Sequence, residues 1–261
     1  MSSDARRERI VELLAARGYM AIDDLVAHFR VTPQTLRGDL NRLADAGRLV
    51  RHHGGASMPS SVANTSYALR RSEFAREKAL IGERLADWLP DRVSLFLTLG
   101  TTMLAAAQAL AAARHGLKVV TNNLEAAQAL VARPDTEVVV LGGQLQGRNL
   151  GTSGTGTLAA AAQYRVDLCL FSVGAVDAEG TLLDYHDSEV DLVRLMCQHA
   201  RRRVLLVDHS KFGRTAAVRV GDIGDVSAIV TDQPLPAPVR RLLRGRPVEV
   251  LLASVRRTGG R

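Results

Sequence analysis

Apolar positions Ile10, Val11, Leu13 and Leu14 recur at helical spacing within residues 6–17, and Gly18 supplies a stop. A short extended run, Tyr19-Met20-Ala21-Ile22, follows. The spacing then predicts a second helix, capped by Asp23 or Asp24 and burying Leu25, Val26 and Phe29. After the turn Arg30-Val31 the helical pattern restarts. Thr32 is placed to cap and Pro33 to take the first helical position. Leu36, Leu40 and Leu43 form one apolar stripe, and the helix is predicted to end near Ala46, before Gly47. Its other face carries Gln34, Thr35, Arg37, Gly38, Asn41 and Arg42. The alternating run Arg48-Leu49-Val50-Arg51 leads into His52-His53-Gly54-Gly55-Ala56, a hairpin signal. Helix, helix, turn, helix, hairpin is a winged helix-turn-helix layout, expected over residues 1–58 with the helix-turn-helix at about 22–46.

The pattern lapses in Ser57-Met58-Pro59-Ser60-Ser61-Val62-Ala63-Asn64-Thr65-Ser66, so 59–72 is expected to be a linker. Helical spacing resumes from Arg70 to Trp88, with Leu80, Ile81, Leu85 and Trp88 on one side. Arg70, Arg71, Glu77 and Lys78 are expected to be structural charges. From Val93 the chain alternates. Strands are predicted at 93–97, 117–121, 137–141, 166–173, 203–207, 228–231 and 248–252. Helices are predicted at 102–114, 124–131, 157–164 and 187–199. Near-continuous apolar strands separated by helices imply a parallel sheet covered on both faces. This α/β domain is expected over 73–255, leaving a basic tail at 256–261.

Composition adds less. With 46% hydrophobic residues the chain can bury a sizeable core, and 4% aromatics leave that core to Leu, Val and Ala. The net charge of +7 favours an anionic partner, although arginine outnumbers lysine 31 to 3. Cys169 and Cys197 lie in apolar runs and read as reduced core residues of a cytoplasmic protein. No metal-ligand spacing, signal segment or membrane span is recognisable, and no metal or cofactor is expected.

The chemistry concentrates in two places. On the third helix, Thr32, Gln34, Thr35, Arg37, Asn41 and Arg42, with Arg51, His52 and His53 of the hairpin, are of the types that bond base edges and phosphates. In the α/β domain, polar glycine-bearing turns follow successive strands, where such folds bind ligands. They contribute Gly100-Thr101-Thr102, Thr121-Asn122-Asn123, Gly142-Gly143, Gly174 and Lys211, with Glu189 at the start of a helix. Gly100 allows close backbone approach, and a helix start with two threonine hydroxyls suits a phosphate. Lys211, one of three lysines, is the expected anion-binding cation.

Val31-Thr32 through Arg37, Asp39-Leu40, Leu43, Gly47 and Arg51-His52-His53-Gly54-Gly55-Ala56 resemble the DeoR family of bacterial transcriptional regulators. The resemblance extends over residues 6–232. It implies a DNA-binding repressor whose larger domain is related to sugar-phosphate isomerases and binds a phosphorylated effector. Pro59-Ser60-Ser61, Asn64-Thr65, Thr121-Asn122-Asn123-Leu124, Leu182-Leu183-Asp184-Tyr185-His186 and Asp208-His209-Ser210-Lys211-Phe212-Gly213-Arg214 are most like the branch answering to glycerol 3-phosphate. Three positions depart from the family pattern. Gly38 replaces the second arginine of an Arg-Arg-Asp-Leu core, Thr98 replaces an aspartate, and Val193 replaces a lysine beside Arg194.

Operator DNA, a phosphorylated small molecule and a second copy of the chain are thus the expected partners, with no membrane. Two other readings stand beside this one: an isomerase-like enzyme using Glu189, Asp184 or Asp177 as base, and a DNA-binding regulator with a decayed effector site. No enzymatic activity is expected. In Asp208-His209-Ser210 the acid, base and nucleophile are adjacent in sequence, whereas a catalytic relay is set by geometry.

Overall fold

A computed structural model describes residues 2–45, 48–52, 54–58, 66–147 and 149–253. The expectations for His53, for the end of the third helix at 46–47, for 59–65 and for the tail 256–261 lie outside the described residues. Contacts divide the chain into two units, Met1–Ser60 and Ser61–Arg261.

The first unit contains α1 (Ser3–Arg17), β1 (Tyr19–Ala21), α2 (Ile22–Phe29), α3 (Pro33–Asp45), β2 (Val50–His52) and β3 (Gly55–Ser57). Ser2 caps α1, and Gly18 ends it at φ +76°. The cap expected on α2 is not formed. Ala21 occupies that position, Asp23 and Asp24 fall in the first turn, and the Gly54 carbonyl takes the Ile22 N–H. The acids act there on the helix dipole instead. Thr32 caps α3 as expected, accepting the Thr35 N–H at 3.2 Å. β3 lies between β1 and β2, antiparallel to both. Gly55 is therefore strand rather than turn, and a Cβ on it would lie 2.3 Å from the Met20 carbonyl oxygen. Ile10, Leu14, Leu25, Leu36 and Leu40 are fully buried, each contributing roughly 2 kcal/mol from apolar burial.

The second unit begins with α4 (Tyr67–Ser72) and α5 (Ala75–Trp88), followed by β4 (Ser94–Leu97), α6 (Thr101–Ala113), β5 (Lys118–Thr121), α7 (Leu124–Val131) and β6 (Glu137–Val140). A hairpin of β7 (Gln144–Gln146) and β8 (Gly151–Ser153) precedes α8 (Thr155–Ala161), β9 (Val166–Phe171), β10 (Ala175–Val176) and β11 (Thr181–Asp184). The chain continues through α9 (Asp187–Gln198), β12 (Ala200–Leu206), β13 (Val218–Asp222), β14 (Ala228–Thr231), α10 (Ala237–Leu242) and β15 (Glu249–Leu252). The helix expected from Arg70 to Trp88 is two helices, broken where Phe74 takes φ +51°. α4 also corrects the expected linker, because Tyr67 and Arg71 both bond Glu125 of α7. The second half of 59–72 thus belongs to the second unit.

Seven parallel strands form the main sheet, in the order β15-β14-β12-β9-β4-β5-β6. Alternate residues face opposite cores. Leu95, Leu97, Leu168, Leu170, Val204 and Leu206 pack toward α5, α6 and α7. Phe96, Cys169, Phe171, Leu205 and Val207 pack with residues of α8, α9 and α10. Burial on both faces is why these strands read as continuous apolar runs. The small antiparallel sheet β10-β11-β13 and the β7-β8 hairpin were not expected. Chain order reverses between β4 and β9, a switch point at which such sheets open a crevice.

Candidate functional site

The exposed face of α3 holds Thr32, Gln34, Thr35, Arg37, Gly38, Asn41 and Arg42, while Leu36, Asp39, Leu40 and Leu43 are buried. Asp39 lies close in sequence to Arg37 and Arg42. It instead turns inward to α1, accepting from Arg6 at 2.6 Å and lying 3.4 Å from Arg7. That buried ion pair sets the rotation of α3 and leaves its polar face outward. The hydroxyls of Thr32 and Thr35 are 2.9 Å apart and bonded to each other. Arg51 of the wing donates to Asn41 Oδ1, tying the wing to α3. His52 is a correction. It is only 2% exposed, with Nε2 2.8 Å from Ser57 Oγ and its ring edge-to-face on Tyr19. It supports the wing from inside and presents no side chain to a partner. Gly38 faces open space.

The second unit has a cleft of about 460 Å³, including its open mouth, at the switch point. Its lining includes Gly100, Thr101 and Thr102 at the start of α6, Ser172 and Gly174 after β9, Glu189 on α9, and Lys211 after β12. Asp184, expected only as a candidate base, also lines it, and two further residues, Arg70 and Asn149, had not been assigned to a site from sequence. Gly100 takes φ +126°, which brings the chain sharply into α6 and leaves the helix-start amides toward the cleft. Asn149 Nδ2 donates to Glu189 Oε1 at 2.6 Å, and Arg70 donates to Asn149 Oδ1. Arg70 is also stacked 5.5 Å from the Tyr67 ring centroid. A Cβ on Gly174 would lie 2.5 Å from the Tyr185 ring and 3.0 Å from Asp184 Oδ1, so only glycine admits that carboxylate.

Charge in the cleft is held out of water. Burial lowers the pKa of Lys211 below the ordinary lysine value, against the pull of Asp208. Arg70 is lowered in the same way, against Asp184 and Glu189. Burial pushes the Asp184 carboxyl up to about 6, with a further push from Glu189 and an opposing backbone bond from Tyr185. Behind the cleft, Lys78 falls to about 8, again through burial, while donating to the Arg70 and Glu73 carbonyls. The arrangement offers two cations and a helix start to an anion, with two carboxylates and an amide for hydroxyls.

Five expected ligand residues do not line this cleft. Thr121 Oγ1 donates to the Leu97 carbonyl at 2.7 Å, and Asn122 Nδ2 to the Thr152 carbonyl at 2.9 Å. Asn123 caps α7, accepting the Ala126 N–H. The Gly142 carbonyl accepts from Thr157, and a Cβ on Gly143 would lie 2.0 Å from Thr157 Oγ1. These polar turns brace the loops after β5 and β6. Of the three departures, the two in the second unit lie outside the cleft lining. Thr98 is buried and outside the cleft lining, and Val193 packs against the core. Arg194 does not stand in for the missing lysine. It donates to the Val220 and Arg219 carbonyls, away from the cleft.

Of the residues considered for catalysis, Asp184 and Glu189 line the cleft together and the others do not. Asp177 Oδ1 receives the Glu179 and Thr181 N–H groups and closes a turn. Asp208 Oδ1 accepts from Ser210, while His209 pairs with Asp232 at 2.6 Å, so these three form no relay. Among the described residues no cluster could hold a metal ion, and no helix is long and apolar enough to cross a membrane.

Residues 6–62 match the DeoR-like helix-turn-helix domain, and residues 73–233 match the DeoR C terminal sensor domain. A glycerol-3-phosphate regulon repressor of Escherichia coli is 38% identical over 97% of this chain and its own full length. The transcriptional repressor CsqR of the same organism is 37% identical over 97% of this chain and 96% of its own. A glycerol-3-phosphate regulon repressor of Haemophilus influenzae is also 37% identical, over 97% and 98%. A solved D-ribose-5-phosphate isomerase with phospho-erythronic acid is a loose match, 14% identical with a TM-score of 0.39, covering 53% of this chain and 54% of that one. The two domain matches cover most of the chain in the order in which its two units occur, and the chain belongs to the DeoR family of transcriptional regulators.

Proposed function

We propose that the protein is a homo-oligomeric repressor released from its operator by a phosphorylated polyol, glycerol 3-phosphate first among candidates. The reading assigns DNA recognition to residues 1–58 and effector binding with oligomerisation to 73–255. The observation that carries it is the cleft itself, where Arg70, Lys211 and the start of α6 face Asp184 and Glu189. A phosphate matches the first group, and vicinal hydroxyls match the second. The relatives named as regulon repressors for glycerol 3-phosphate give the same direction. Arg37, Gln34, Thr35 and Asn41 of α3 are the proposed base and phosphate contacts, with Arg42 and Arg51 beside them. A two-fold assembly would read matched half-sites in the operator. Binding without turnover is the proposed role of the cleft, with Asp184 and Glu189 accepting effector hydroxyls. The effector acts by its differential affinity for the DNA-bound and free states.

The test is a gel shift on DNA upstream of the protein's own gene, with and without glycerol 3-phosphate. A shift that the compound abolishes is expected. A shift indifferent to every sugar and polyol phosphate tested points to a decayed effector site, and turnover without a shift points to an enzyme.

A further inference from the structure

Positive charge is distributed unevenly along the chain. Residues 1–60 carry nine basic and seven acidic side chains, an excess of only two. Several of the nine are already engaged: Arg6 and Arg7 with Asp39, Arg9 with Glu12, Arg48 with Glu8. Residues 234–261, by contrast, carry seven basic side chains and one acidic one. That excess of six nearly equals the net +7 of the whole chain. The segment also begins just past the matched sensor domain, which ends at 233.

The described part of the segment is a built surface. Leu235 and Val239 are buried in the sheet core, and Leu243 packs against it. The anchored helix α10 and the turn after it leave Arg240, Arg241 and Arg244 exposed, and Arg246 is exposed beyond them. None of the four forms an ion pair with a described residue, and Glu249 is engaged elsewhere by Trp88 and Arg202. Arg240 and Arg244 are one helical turn apart, with Arg241 between them.

We propose that this arginine surface binds the phosphate backbone of duplex DNA, adding sequence-independent affinity to what the nearly neutral reading unit supplies. The inference rests on the DNA-binding reading above. Charge complementarity carries it: unpaired guanidiniums on a rigid element suit phosphates, and each phosphate neutralised releases a counterion.

The experiment uses the full-length protein with arginines 240, 241 and 244 replaced by glutamine, and a second variant with lysine at all three. Binding to a labelled random-sequence duplex is followed by fluorescence anisotropy over a potassium chloride series. The glutamine variant is expected to lose at least about tenfold in affinity at low salt. Its slope of log K against log salt should be shallower by about two to three. The lysine variant should keep the wild-type slope. Equal slopes and affinities for wild type and glutamine variant overturn the proposal, as does a variant that alters only self-association by sedimentation, which would make the surface a protein contact. A wild type that binds neither this duplex nor its operator overturns the DNA-binding reading itself.

Discussion

The two units handle charge in opposite ways. In the first, the α3 groups proposed to meet DNA are exposed, and a buried ion-pair cluster, Asp39 with Arg6 and Arg7, is scaffolding. In the second, the groups proposed to meet a ligand are themselves partly buried, and burial has shifted Lys211, Arg70 and Asp184. A duplex brings a dense row of phosphates and needs only an accessible, correctly rotated face. A small phosphate must be taken out of water, and desolvated cations raise the gain when it arrives.

Three substitutions probe that contrast. Asp39→Ala should have the largest effect. It leaves two arginines against the core without their carboxylate, and should cost the first unit about 3 kcal/mol. Thermal unfolding is expected to separate into an early transition of the first unit and an unchanged later one, with effector binding intact. A single unchanged transition would show the pair to be dispensable. Lys211→Ala comes next. Operator affinity should stay within about twofold, while effector affinity by calorimetry falls roughly 10- to 100-fold, as expected for losing a charge-assisted bond. Undiminished effector affinity would remove Lys211 from the site.

Asp184→Asn should be the smallest and is read through pH. The folded pKa of Asp184 is raised to about 6, so its burial is without penalty at low pH and costs stability as pH rises from about 4 to 6. The asparagine variant should therefore exceed wild type by on the order of 1 kcal/mol at pH 7.5 and match it near pH 4. A gap that ignores pH would assign the effect to another cause.

Much of this was legible in the sequence, and the limits have physical reasons. The Leu36, Leu40 and Leu43 stripe and the capping Thr32 marked α3 because helical spacing and caps are local. The parallel sheet showed in apolar runs because both faces of every central strand are buried. The inward turn of Asp39 was not legible, because its partners lie about 30 residues upstream. Polar turns after all strands look alike in sequence. Only the fold shows that those after β4, β9 and β12 open on one crevice while Asn122, Asn123 and Gly143 brace neighbouring loops. Arg70 and Asn149 were missed because each reaches the cleft from a segment far away in sequence.

Helix α4 has a mechanical consequence. The chain leaving the DNA-reading unit enters the sensor through it, and its Arg70 is fastened inside the cleft through Asn149. The same side chain that fastens α4 to Asn149 is a cation lining the cleft, so an anion bound there and the seating of α4 draw on one guanidinium.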